Sequence, residues 1–127
     1  MHALELHATS EMPSVSVSLM LLRQWSTEAT RALDDAQGPF DLVIACDCVF
    51  PPVYGESWKL LADSVRELLS RKSDTVVLLS FERRKGDQLD DFFAYCETNA
   101  SPAVSCKRVL WDDPICIYRA DLAPAGG

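Results

Sequence analysis

The sequence predicts an α/β domain in which a parallel strand-helix-strand unit is followed by an antiparallel hairpin. Three observations predict it. Leu42-Val43-Ile44-Ala45-Cys46 runs without a polar break, and Thr75 to Phe81 is a second apolar, β-branched run; such runs are what strands covered on both faces of a parallel sheet require. Between them, Glu56 to Arg71 sets Trp58, Leu61, Val65, Leu68 and Leu69 at three-and-four spacing, one apolar stripe on a surface helix. Strand, crossover helix and strand make a unit with parallel strands and a right-handed connection. Further on, Val104 to Trp111 and Ile115 to Ala120 are β-rich segments joined by Asp112-Asp113-Pro114, which reads as a hairpin.

In chain order, residues 1 to 14 carry weak helical character in Ala3, Leu4 and Leu6, broken around Pro13. Val15-Ser16-Val17-Ser18-Leu19 alternates with period two, the mark of a half-buried strand at or near a sheet edge. Thr27 to Gln37 has Leu33 as its only large apolar residue and reads as a loop with at most a short helix. Gly38-Pro39 then punctuates the chain before the run that ends at Asp47, and Pro51-Pro52 forbids further ladder pairing. Within the helix from Glu56, Glu67 and Arg71 form a favourable i,i+4 pair. Asp87 is placed to cap a last helix through about Thr98, with Leu89, Phe92, Phe93 and Cys96 on one face. Residues 1–122 read as a single domain and 123–127 as a disordered tail.

The 127 residues suffice for one domain with a packed core, and 48% hydrophobic with 24% charged residues is a globular composition. Twelve basic against 19 acidic residues give a net charge of -7, which repels phosphate backbones and anionic membranes and argues against nucleic acid as the main partner. Five cysteines, an odd number and mostly inside apolar segments, read as reduced thiols. With no basic leader and no apolar stretch of spanning length, the expected location is cytoplasmic.

Asp47 is the first functional candidate, because an acid at the carboxyl end of a buried strand lies where open α/β sheets bind ligands. Cys46-x-Cys48 is a poor metal motif: the only imidazoles, His2 and His7, are near the N-terminus. Asp47 between the two thiols should raise their pKa and so oppose redox use. Arg83-Arg84-Lys85 reads as a solvated loop, and Trp25, Trp58 and Trp111 as core or rim residues.

Phe40-Asp41-Leu42-Val43-Ile44-Ala45-Cys46-Asp47-Cys48-Val49-Phe50 resembles the segment ending in Asp/Glu-x-x-Tyr/Phe of the class I S-adenosylmethionine-dependent protein-lysine methyltransferases. The match is Asp47 and Phe50. A leucine-rich segment ending in Trp25, the sequence Phe81-Glu82-Arg83-Arg84, and a final strand Ile115-Cys116-Ile117-Tyr118-Arg119 follow the family's order. The most similar group is the one that methylates valosin-containing protein and heat-shock chaperones. The resemblance, over roughly residues 15 to 120, implies a partial Rossmann-like class I sheet, S-adenosyl-L-methionine as cofactor and a protein substrate carrying a lysine. It implies that Trp25 and Cys46 line the cofactor, that Asp47 and Phe50 face the methyl-accepting amine, and that Tyr54 and Arg84 serve the substrate side.

The five glycines, at 38, 55, 86, 126 and 127, form no Gly-x-Gly loop of the kind the family uses against the cofactor. A family sheet ordered 3-2-1-4-5-7-6 would then lack its centre, with the strand from Leu42 to Cys46 as an apolar edge. That edge is expected to be covered by a partner chain, a missing N-terminal half or the strand from Val15. The rival expectation is a non-catalytic interaction module that keeps the substrate-facing surface.

Overall fold

A computed structural model describes residues 3–8, 15–20, 26–49, 55–98 and 102–123, with side chains described from residue 26 onward. Two strands, β1 (Ala3–Ala8) and β2 (Val15–Met20), form an antiparallel sheet of their own. They are followed by α1 (Thr27–Gln37), β3 (Leu42–Cys46), α2 (Trp58–Arg71), β4 (Val76–Glu82), α3 (Leu89–Thr98), β5 (Val104–Asp112) and β6 (Ile115–Leu122). The second sheet runs β3-β4-β6-β5. β3 and β4 are parallel, with Leu42 opposite Val76 and Cys46 opposite Ser80, while β6 is antiparallel to both β4 and β5. The expected strand-helix-strand unit and hairpin are therefore present, and the order equals the 4-5-7-6 portion of the resembled sheet.

The core lies between one face of this sheet and the helices. Val77, Leu79 and Phe81 alternate along β4 and are buried with Ala120 of β6 against Trp58, Leu61, Val65 and Leu69 of α2 and Leu89, Phe92 and Cys96 of α3. Each helix contributes the stripe its periodicity announces. Phe81 meets Phe92 edge-on at 5.8 Å between ring centroids, and Trp58 meets Tyr95 at 5.6 Å, both within the range in which aromatic pairs attract.

Three expectations are corrected. Residues 3–8 are a strand rather than weakly helical: Ala3 to Ala8 pair with Met20 to Val15. Thr27–Gln37 is a full helix rather than a loop. Its stability is largely polar: Ser26 Oγ accepts the Ala29 N–H at 2.9 Å, an N-cap bond, and the buried Thr30 hydroxyl donates to Ser64 Oγ of α2 at 2.8 Å. Arg71 of α2 donates to the buried Asp34 at 2.5 Å and also to Asp35, while Arg31 donates to Glu67 at 2.7 Å. Arg71 and Glu67 also make their i,i+4 contact, at 3.7 Å.

The third correction concerns β3. Leu42 and Ile44 are 52% and 60% exposed, so the strand is covered on one face only. Residues paired across neighbouring strands share a face, and Leu42, Ile44 and Cys46 lie beside the half-buried Val76, Leu78 and Ser80 on the face away from the helices. β3 is an edge strand. β2 pairs with β1 rather than with β3, so it does not fill that edge. Among the described residues no helix is long and apolar enough to cross a membrane.

Candidate functional site

At the carboxyl end of β3 the chain turns sharply at Asp47, whose φ of 54° is left-handed. Asp tolerates that region better than most residues, yet it costs free energy there, and such outliers concentrate at functional sites. The Asp47 N–H donates to Ser80 O at 2.7 Å, which extends the β3–β4 ladder by one residue. Its carboxylate then reaches across the strand ends. Oδ1 accepts the Glu82 main-chain N–H at 3.1 Å, and Oδ2 accepts from Arg84 Nη2 at 2.8 Å. Arg84 Nη2 also contacts Glu82 Oε2 at 3.2 Å.

Asp47, Glu82 and Arg84 thus form one half-exposed cluster at the upper rim of the sheet. Each carboxylate oxygen of Asp47 has about two lone-pair directions, and one on each is taken. Among the described residues no other donor takes the remaining directions, which can accept N–H groups of an incoming amine.

Arg83 and Asp87 brace this rim. Arg83 pairs with Asp87 at 3.1 Å, and Asp87 also accepts the N–H groups of Arg84 at 2.8 Å and Leu89 at 3.1 Å. The expected helix cap is therefore present, and it fixes the Arg84 backbone as well. Burial works against the Asp87 charge, but these donors outweigh it and hold the carboxyl below its ordinary value. Arg83-Arg84-Lys85 is not a simple solvated triplet, since its two arginines are bound to carboxylates.

Of the residues singled out from sequence, the structure brings together Asp47, Cys46 and Arg84. The Cys46 side chain is exposed and its carbonyl oxygen accepts from the Cys48 thiol at 3.2 Å. Burial, the neighbouring Cys46 and, to a lesser extent, Asp47 push the Cys48 thiol up to about 11. The expected direction holds for Cys48, with burial as its main cause. Trp25, Phe50 and Tyr54 lie outside the described residues. Glu82 was missed as a site residue, although its place one strand over from Asp47 follows once β3 and β4 are paired in parallel.

The described residues do not by themselves fit S-adenosylmethionine. A glycine that cradles a ligand leaves an enclosed space that a Cβ would fill, and none of the described glycines does so. A Cβ on Gly38 would meet Asp34 Oδ1 at 2.5 Å, whereas Gly55 and Gly86, at φ of 61° and 77°, face open space as turn residues. An open groove of about 390 Å³ is lined by Asp34, Asp35, Gly38, Pro39 and Arg71. It lies toward the start of β3, at the opposite end from Asp47.

A family profile described as lysine methyltransferase matches residues 3–99. The secreted RxLR effector protein 48 of Plasmopara viticola is 39% identical over 75 residues, covering 58% of this chain and 38% of that protein. The chain matches well under half the length of that relative. No solved structure matches significantly. The strand order, the acid at the end of β3 and a profile match over most of the sequence agree, and the chain belongs to the lysine methyltransferase family.

Proposed function

We propose that this chain carries the acceptor-lysine side of an S-adenosylmethionine-dependent protein-lysine N-methyltransferase, of the group acting on valosin-containing protein and heat-shock chaperones. The observation that carries this reading is Asp47: a half-exposed carboxylate at the sheet's carboxyl edge, held at both oxygens yet with acceptor capacity left. Such a group orients a lysine amine by hydrogen bonds and charge, and orientation is the main requirement when a neutral amine is the nucleophile. Phe50 and Tyr54 complete the amine-facing wall in this proposal, and Trp25 and Cys46 face the donor.

The donor side is assigned to a segment or partner chain that pairs with the free edge of β3, which the exposure of Leu42 and Ile44 supports. The five free thiols support a reducing, cytoplasmic setting. Titration with Nα-acetyl-lysine amide, followed by amide chemical shifts, tests the acceptor side. Perturbation at Asp47, Glu82 and Arg84 that disappears in Asp47→Asn is the expected result, and an undisturbed rim overturns the proposal. A second reading, a non-catalytic interaction module, is favoured by the glycine geometry. Calorimetry with S-adenosylhomocysteine separates the two: micromolar binding by the chain supports an enzyme, and silence at millimolar concentration supports the module.

A further inference from the structure

The β5–β6 hairpin leaves an apolar cluster in solvent at the same edge of the sheet as Asp47. Trp111 and Leu110 are 59% and 60% exposed, and Val109 and Ile115 are exposed beside them. The register connects the two places. Glu82, whose N–H caps Asp47, stands opposite Ile115, and Ile115 stands opposite Asp112. The Arg83 N–H also donates to Pro114 O at 2.8 Å, tying the hairpin turn to the strand end that holds Asp47.

The end of β5 is not shaped as an ordinary edge. A register shift between Arg108 and Leu110 takes Val109 out of the ladder, and bulges of this kind re-aim side chains. Trp111 shares a face with the buried Cys116 and Leu110 shares the other with Ile117, so apolar groups flank both sides of the strand. Arg108 lies over the Trp111 ring at 4.2 Å, a cation–π contact that holds one face of the ring while the residue stays 59% exposed. Asp112 and Asp113 are exposed next to it, and neither has an ion-pair partner among the described residues. An exposed aromatic anchor with two exposed carboxylates following it in the chain, on a molecule of net charge -7, complements an apolar side chain flanked by lysine or arginine.

We infer that this hairpin tip is the docking surface for the substrate protein and binds a basic-apolar segment near the target lysine. The inference rests on the acceptor-lysine reading of Asp47 for its geometry. β3 and β5 are separated by three strand spacings, about 14 Å, which an extended segment covers in about four residues. The preferred substrate thus places a large apolar residue, next to arginine or lysine, about four positions from the lysine held at Asp47.

The test uses a fluorescein-labelled peptide with one lysine, a leucine four residues away in either order and two arginines beyond the leucine, titrated against the whole chain by anisotropy. Exchanging the leucine for serine, or introducing Trp111→Ser, is expected to weaken binding about tenfold, as loss of an anchor residue does. Asp112→Asn with Asp113→Asn should reduce both the affinity and its salt dependence. Trp111→Ser affects an exposed side chain, and an unchanged melting temperature checks that the chain stays folded. Equal affinity of the Trp111→Ser chain, or of the serine peptide, overturns the inference. The premise fails separately: if replacing the peptide lysine by glutamine changes nothing while Trp111→Ser still weakens binding, the docking surface stands and the lysine site at Asp47 does not.

Discussion

The Glu82 main-chain N–H donates to the Asp47 carboxylate at 3.1 Å, so the acid that ends β3 also caps the end of β4. Function and fold therefore share one side chain. Asp47→Ala loses this acceptor and leaves a Cβ residue less tolerant of a φ of 54°, for an expected cost of about 1 to 3 kcal/mol. Asp47→Asn keeps both an acceptor and tolerance of that backbone. It gives up only an ion pair exposed on both sides, worth about 0 to 1 kcal/mol. Urea unfolding of the two variants checks the order; equal losses would show that the backbone conformation and the Glu82 bond contribute nothing.

Leu61 sits on the α2 stripe, buried against the sheet. Leu61→Ala should lower stability by about 2 to 5 kcal/mol. A thermal midpoint equal to that of the parent chain would contradict the packing of α2.

Asp87 links protonation to folding. Its folded value lies below the ordinary 3.8, so its contribution is present above about pH 4 and is lost as pH falls through the lowered folded value. Asp87→Asn should destabilise by about 1 to 2 kcal/mol at neutral pH, with the gap to the parent narrowing in acid. Urea midpoints at neutral pH and near pH 3 measure that convergence, and a gap independent of pH refutes it.

Gly38 closes α1 where a Cβ would strike both Asp34 Oδ1 and Asp34 O, at 2.5 and 2.8 Å. Gly38→Ala must displace Asp34 from Arg71, for an expected loss of about 1 to 3 kcal/mol. Pairing it with Asp34→Ala should make the two effects less than additive, which a double-mutant cycle reads directly.

Ile44 on the free edge is the counter-case. Ile44→Lys should leave the melting midpoint within the small change typical of surface substitutions, about 0.5 kcal/mol. It should suppress any self-association through β3, because an edge lysine opposes strand pairing. Sedimentation velocity follows the second effect, and a large loss of stability would mean that Ile44 is covered.

How much could be read in advance varies by element. The α2 stripe, the alternation of β2, the hairpin around Asp112-Asp113-Pro114 and the Asp87 cap each depend on neighbours within a few residues, and each is found where its pattern predicts. α1 was missed because Leu33 is its only large buried apolar residue, and its partners Ser64, Glu67 and Arg71 lie more than 30 residues away. Ser26 as N-cap, with Glu28 in the first turn, was the available signal. β1 was missed because Ala and Leu favour helices, and its strand state is set by backbone pairing with β2 rather than by a local pattern.

By itself the sequence determined where β2 and the elements from β3 onward form and which acid ends β3, because periodicity, capping and chain breakers act locally. Only the tertiary structure decided that one face of β3 is bare, and that Asp47, Glu82, Arg84 and the tip of the hairpin share one rim. Burial is set by the layers present in space, and proximity by strand register. Both join residues too far apart in the chain for a local pattern to record.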